Sequence, residues 1–116
     1  MQLLRQTLIG LAIFSMPTLI SAHSSSEATT PADGSIIVEV SEFLIRFKDP
    51  MRVVFASLTS NTGDVPIGRD TTMEFTTEFK ARPLAELSPG SYRFDWRGMA
   101  SDGHPMQGSF SFTVVK

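Results

Sequence analysis

Two histidines, His23 and His104, are the only imidazoles in the 116 residues. His104 lies in Ser101-Asp102-Gly103-His104-Pro105, one glycine away from Asp102. If this segment is extended, period-two geometry turns the Asp102 and His104 side chains to the same side. Gly103 removes bulk between them and lets the backbone curve around an ion. One carboxylate and one imidazole are too few ligands for a tight site, so further donors must come from elsewhere. His23, the other imidazole, directly follows Ala22. In a chain that begins at His23, the α-amine and ring Nδ1 of that residue can chelate one metal together, which no internal histidine can do. Adding His104 and Asp102 makes three nitrogens and one oxygen. In a plane, that set suits Cu(II), which binds such sites more tightly than other divalent first-row metals. Zn(II) can use the same ligands but prefers them tetrahedral.

Taken singly, each histidine has a plainer explanation. Asp-Gly and His-Pro are ordinary turn formers, and a histidine near a terminus is commonly just solvated. The combination carries the metal reading, because it depends on where the chain is cut. Residues 1–22 have the pattern of a secretory signal: Arg5 in the n-region, an apolar run from Leu8 to Phe14, Pro17, and Ile20-Ser21-Ala22 at the expected cleavage point. That run is too short to span a bilayer. A cut after Ala28 is the alternative, with better small residues but far from the apolar run. Cleavage after Ala22 leaves one domain, residues 23–116, with nine basic and twelve acidic side chains and a charge of −3 (9 − 12). The chain is expected to be exported, with no membrane span after cleavage.

Other chemistries fit poorly. The chain has no cysteine, which excludes disulfides, thiolate metal sites and a cysteine nucleophile. Ser101, Asp102 and His104 are crowded on one turn, whereas a hydrolase triad needs a directed hydrogen-bond chain and an oxyanion hole. There is no glycine-rich phosphate loop, and no basic stripe for a nucleic-acid partner. Glu39, Glu42, Glu74 and Glu78 have the spacing of solvated strand faces. Four methionines follow the expected cut: Met51, Met73, Met99 and Met106. They are dispersed, and core or loop packing is their expected role, although Met99 and Met106 bracket the Asp-Gly-His segment.

The elements that must position these residues are strands. Period-two alternation recurs through Ile36-Val38-Val40, Phe43-Ile45-Phe47, Tyr92-Phe94-Trp96 and Phe110-Phe112-Val114, with a further apolar strand at Val53–Leu58. Val65–Ile67, Met73–Thr77 and Phe79–Arg82 are weaker candidates. Pro31-Ala32-Asp33-Gly34 and Asn61-Thr62-Gly63-Asp64 are turns, and His23 to Thr30 is polar and expected to be extended. About seven strands predict an all-β Greek-key sandwich or barrel. Phe43, Phe47, Tyr92, Phe94, Trp96, Phe110 and Phe112 are expected to form its core. Leu87-Ser88-Pro89-Gly90-Ser91-Tyr92 has the form of a corner in which Tyr92 folds back on the preceding loop.

These motifs together resemble the CopC/PcoC family of periplasmic copper-resistance proteins. The resemblance covers nearly all of residues 23–116. It rests on Ala22-His23, Pro31-Ala32-Asp33-Gly34, Leu87 to Tyr92, Trp96-Arg97, Ser101 to Pro105 and Gly108-Ser109-Phe110-Ser111-Phe112-Thr113-Val114. It implies an Ig-like Greek-key β-sandwich and one Cu(II) held by His23, Asp102 and His104. It also implies a role in copper resistance, homeostasis or delivery to a membrane copper transporter, with no enzymatic activity. Some family members carry a second, Cu(I) site in a methionine-rich segment with an additional histidine. This chain has neither, so a single site is expected. Two other classes fit the raw pattern: a histidine-chelated copper monooxygenase acting on polysaccharides, and a metal-free adhesion or scaffold sandwich.

Overall fold

The computed structural model describes residue 10 and residues 26–116. The expected signal, its cleavage point and His23 lie outside the described residues. Those that are described form an all-β domain without a helix. Its eight strands are β1 (Ser26–Thr30), β2 (Ser35–Ile37), β3 (Phe43–Ser60), β4 (Gly63–Val65), β5 (Ile67–Arg69), β6 (Thr76–Pro83), β7 (Gly90–Ala100) and β8 (Pro105–Val114). Hydrogen bonding follows the path β2-β8-β7-β3-β6-β5, with β1 and β4 also on β3.

The eighth strand and several shifted boundaries have physical reasons. β3 joins the two segments expected at Phe43–Phe47 and Val53–Leu58 into 18 continuous residues. Its first half pairs with β1 and β6, and its second half with β7 and β4. The strand expected at Val65–Ile67 is instead β4 and β5 on either side of Pro66, which has no N–H to continue a ladder. β1 forms from polar Ser26–Thr30 because backbone pairing with β3 requires no apolar pattern.

The alternation at Ile36-Val38-Val40 is offset from the expected one. Ile36 and Val38 are each 71% exposed, while Ile37 packs on the core. β2 is parallel to β8, with Ser35 opposite Phe112 and Ile37 opposite Val114. Since Phe112 and Val114 point inward, their register partners share that face, and a one-residue change in parity moves the whole set.

All seven aromatics expected in the core are buried. In the β7–β8 hairpin Tyr92 stacks on Phe112 and Phe94 on Phe110, with centroids 5.4 and 5.0 Å apart. Trp96 faces Gly108, and its ring meets Phe47 edge-on at 5.1 Å. A Cβ at residue 108 would lie 2.7 Å from Trp96 Nε1, so glycine is what admits the indole. The corner forms as its sequence implies, with the Tyr92 hydroxyl donating to the Ser88 carbonyl at 2.6 Å. Asp33, from the Pro-Ala-Asp-Gly turn, accepts a hydrogen bond from the Ser111 N–H at 2.9 Å. The result is a stiff hairpin whose tip is residues 101–104.

Candidate metal centre

The tip is a tight turn rather than an extended segment. Ala100 N–H donates to the His104 carbonyl and Gly103 N–H to the Ala100 carbonyl, both at 2.9 Å. Gly103 has φ of 90°, a left-handed conformation open to glycine at little cost. The expectation that extension would align Asp102 and His104 is therefore corrected, yet the two side chains still meet. Asp102 Oδ1 accepts the His104 backbone N–H at 3.1 Å, and Asp102 Oδ2 lies 2.7 Å from His104 Nδ1. The known habit of aspartate to bond its own backbone two residues on was the signal for a turn here.

This pair has a defined electrostatic character. The hydrogen bond to the His104 side chain, then that to its backbone N–H, holds the Asp102 carboxyl below its ordinary value of 3.8, as bonding to the charged form does. An Nδ1–H donated to Asp102 leaves His104 Nε2 with its lone pair free for a metal. Both side chains are exposed, 76% for His104 and 63% for Asp102, so an ion reaches them without rearrangement of the core. Among the described residues no group of three or more His, Asp or Glu side chains converges on one point. The flanking methionines diverge: Met99 is 41% exposed, whereas Met106 packs against the core.

Strand pairing fixes what approaches this turn. Arg46 pairs with both Ala28 of β1 and Glu78 of β6, so β1 and β6 occupy opposite edges of β3. Met51 pairs with both Thr76 of β6 and Ala100 of β7, so β7 is also opposite β6. β1 and β7 thus share one edge of β3, end to end. β1 starts at Ser26 opposite Phe47, and β7 ends at Ala100 opposite Met51. The start of β1 faces the Asp102–His104 turn across the span of β3 between Phe47 and Met51. Sequence patterning missed this, because it does not reveal which strands share an edge.

Among the described residues the chain is thus a small all-β sandwich with an exposed Asp-x-His turn at the tip of its β7–β8 hairpin. The chain belongs to the CopC family, whose domain model matches residues 26–115. It is 26% identical over 105 residues to copper resistance protein C of Pseudomonas syringae pv. tomato, covering 83% of each chain. It is 28% identical over 104 residues to the protein of the same name from Escherichia coli, covering 80% of this chain and 82% of that one. Among solved structures it is similar to CopC from Methylosinus trichosporium OB3b, with a TM-score of 0.67, 26% identity and coverage of 79% and 93%. Methionine-rich PcoC from Escherichia coli shares the fold with a TM-score of 0.66 at 24% identity, covering 81% of this chain and all of that one.

Proposed function

We propose that the chain is a non-enzymatic periplasmic copper-binding protein that holds one Cu(II) between His23, as the N-terminal residue after cleavage, and the Asp102–His104 turn. The observation that carries this reading is the shared edge of β3. His23 precedes Ser26 by three residues, a reach of about 10 Å in extended chain. β3 bulges between Arg46 and Met51, where five steps of β3 run beside the two from Glu78 to Thr76 of β6; two strand steps are about 7 Å, so the gap lies within that reach. The amine and Nδ1 of His23, Nε2 of His104 and an oxygen of Asp102 make an N₃O set suited to tetragonal Cu(II). The relatives named for copper resistance support the metal. Exposed ligands at a hairpin tip suit a protein that gives its ion up again, in resistance, homeostasis or delivery to a membrane copper transporter.

The test compares Cu(II) titrations of three forms of the protein: one starting at His23, one with a single alanine added before His23, and His104→Ala. The first should saturate at one equivalent, with nitrogen hyperfine structure in its electron paramagnetic resonance spectrum. The added alanine moves the amine out of the chelate and should weaken binding at least tenfold, as should loss of the His104 imidazole. Equal affinity in all three forms would sink the ligand assignment. Intact mass of the exported protein independently locates the cut.

A further inference from the structure

The outer face of the β3–β7–β8 sheet changes character along its length. Arg52, Met99 and Pro105 form the cross-strand row nearest the Asp102–His104 turn, and Phe55, Arg97 and Gln107 the next. Val54 bulges between the two rows and is 52% exposed, and Phe55 and Met99 are each 41% exposed. Together with Pro105 and Met106 they line an open groove of about 810 Å³ with Arg97 in its wall. Beyond these rows the face is polar, and its one carboxylate there, Asp95, is paired with Arg93 at 3.0 Å. Val54, Phe55 and Met99 cluster at the turn end of this face, while Ile36 and Val115 are exposed at its far end.

The two arginines of this end have no carboxylate within 4 Å among the described residues, where the ion pairs are Arg46–Glu78 and Arg93–Asp95 and Asp102 is hydrogen-bonded to His104. Arg97 instead lies over the Phe55 ring at 4.5 Å and Arg52 over Phe75 at 4.3 Å. Arg52 Nε is buried without a hydrogen-bond partner. Arg97 over Phe55 in the groove wall, with Arg52 beside it on the same row as Met99, matches a phosphate above an acyl chain. A bilayer requires only an apolar wedge and cations at one level, which is what this end of the face offers. We propose that the Val54-Phe55-Met99-Pro105 groove, with Arg52 and Arg97, docks the domain on an anionic phospholipid bilayer. Docked this way, the domain presents the Asp102–His104 turn at the membrane surface. The proposal uses no copper ligand and stands independently of the copper reading.

The test is vesicle flotation of the full mature chain in a chelator, with phosphatidylglycerol–phosphatidylcholine vesicles and with phosphatidylcholine alone. Wild type should float with the anionic vesicles at about 20 mM salt and be released at about 0.5 M, where the Debye length shrinks several-fold. Arg52→Gln/Arg97→Gln should lower the partition coefficient about 25-fold, from about fivefold per arginine. Phe55→Ser/Met99→Ser should lower it at least tenfold. Arg93→Gln, on the polar stretch of the same face, should float like wild type. Near-UV circular dichroism of Trp96 confirms that each variant is folded. Wild type that stays unbound overturns the proposal and leaves the groove to a protein partner. So does full binding by Phe55→Ser/Met99→Ser, or an equal loss in Arg93→Gln, since either means diffuse charge attraction rather than a docking face.

Discussion

Gly108→Ala is the sharpest perturbation of the hairpin that carries the candidate metal turn. The new methyl carbon would sit 2.7 Å from Trp96 Nε1 and 2.9 Å from Cε2 and Cζ2. The indole has little room to retreat: it is 1% exposed and meets Phe47 edge-on at 5.1 Å. Overpacking of this kind costs about 1–3 kcal/mol. Alanine recovers about 0.5–1 kcal/mol of the entropy cost that glycine carries in a strand. The net expectation is a loss of about 1–2 kcal/mol, from a total of about 5–15 kcal/mol for a domain of this size. At about 4–8 °C per kcal/mol, Tm should fall by roughly 5–15 °C. Urea denaturation measures the loss, and the near-UV signal of the single tryptophan reports the displaced ring. A double-mutant cycle with Trp96→Phe isolates the contact: the smaller ring makes room, so the double variant should be more stable than additivity predicts by at least about 1 kcal/mol. Gly108→Ala within about 0.5 kcal/mol of wild type, or an additive cycle, would refute the packing argument.

Other expectations concern the corner, the turn and the metal. Tyr92→Phe removes the 2.6 Å bond to Ser88 and should cost about 1 kcal/mol by urea denaturation, with the β7–β8 stacking intact. Gly103→Ala meets no neighbouring atom but forces φ of 90° on a residue with a Cβ, so it should cost about 1 kcal/mol and broaden the His104 amide resonance. The Asp102 carboxyl is held below its ordinary 3.8, so its contribution is fully present above that value and is lost only as pH falls through the lower, folded-state value. An NMR titration should therefore find the His104 N–H still bonded at pH 4. Over pH 7 to 5 Asp102 stays ionised, and proton competition for copper comes from nitrogen ligands alone. An α-amine with a reference value of about 7.8 would by itself contribute a fall of about 85-fold over this range. A competition assay on the chain starting at His23 and on the same chain with an acetylated terminus isolates that contribution, and equal pH dependence in the two would remove the His23 amine from the ligand set.

Much of the fold was legible because alternation and burial share one cause. Phe43, Phe47, Tyr92, Phe94, Trp96, Phe110 and Phe112 recur at period two, and burying them on one face dictates strands. The Tyr92 corner was legible because it is local, spanning only the four residues back to Ser88. β2 was misread because Ile36, Ile37 and Val38 are all apolar, so only pairing with Phe112 and Val114 decides which side turns inward. β1 carried no pattern because its polar side chains gain nothing from burial, and its order comes from β3.

The same division applies to His104 and Asp102. The sequence alone determined that these residues, with His23, are the candidate donors, since imidazoles are scarce and cysteine is absent. It also determined that the donors sit at a strand junction, because glycine and proline interrupt the alternation there. The tertiary structure alone decided that the Asp102–His104 pair closes as a bonded turn, and that the start of β1 and the end of β7 share one edge of β3. Adjacency of that kind arises because two separate ladders meet on β3, Ser26 pairing with Phe47 and Ala100 with Met51, which no local spacing encodes.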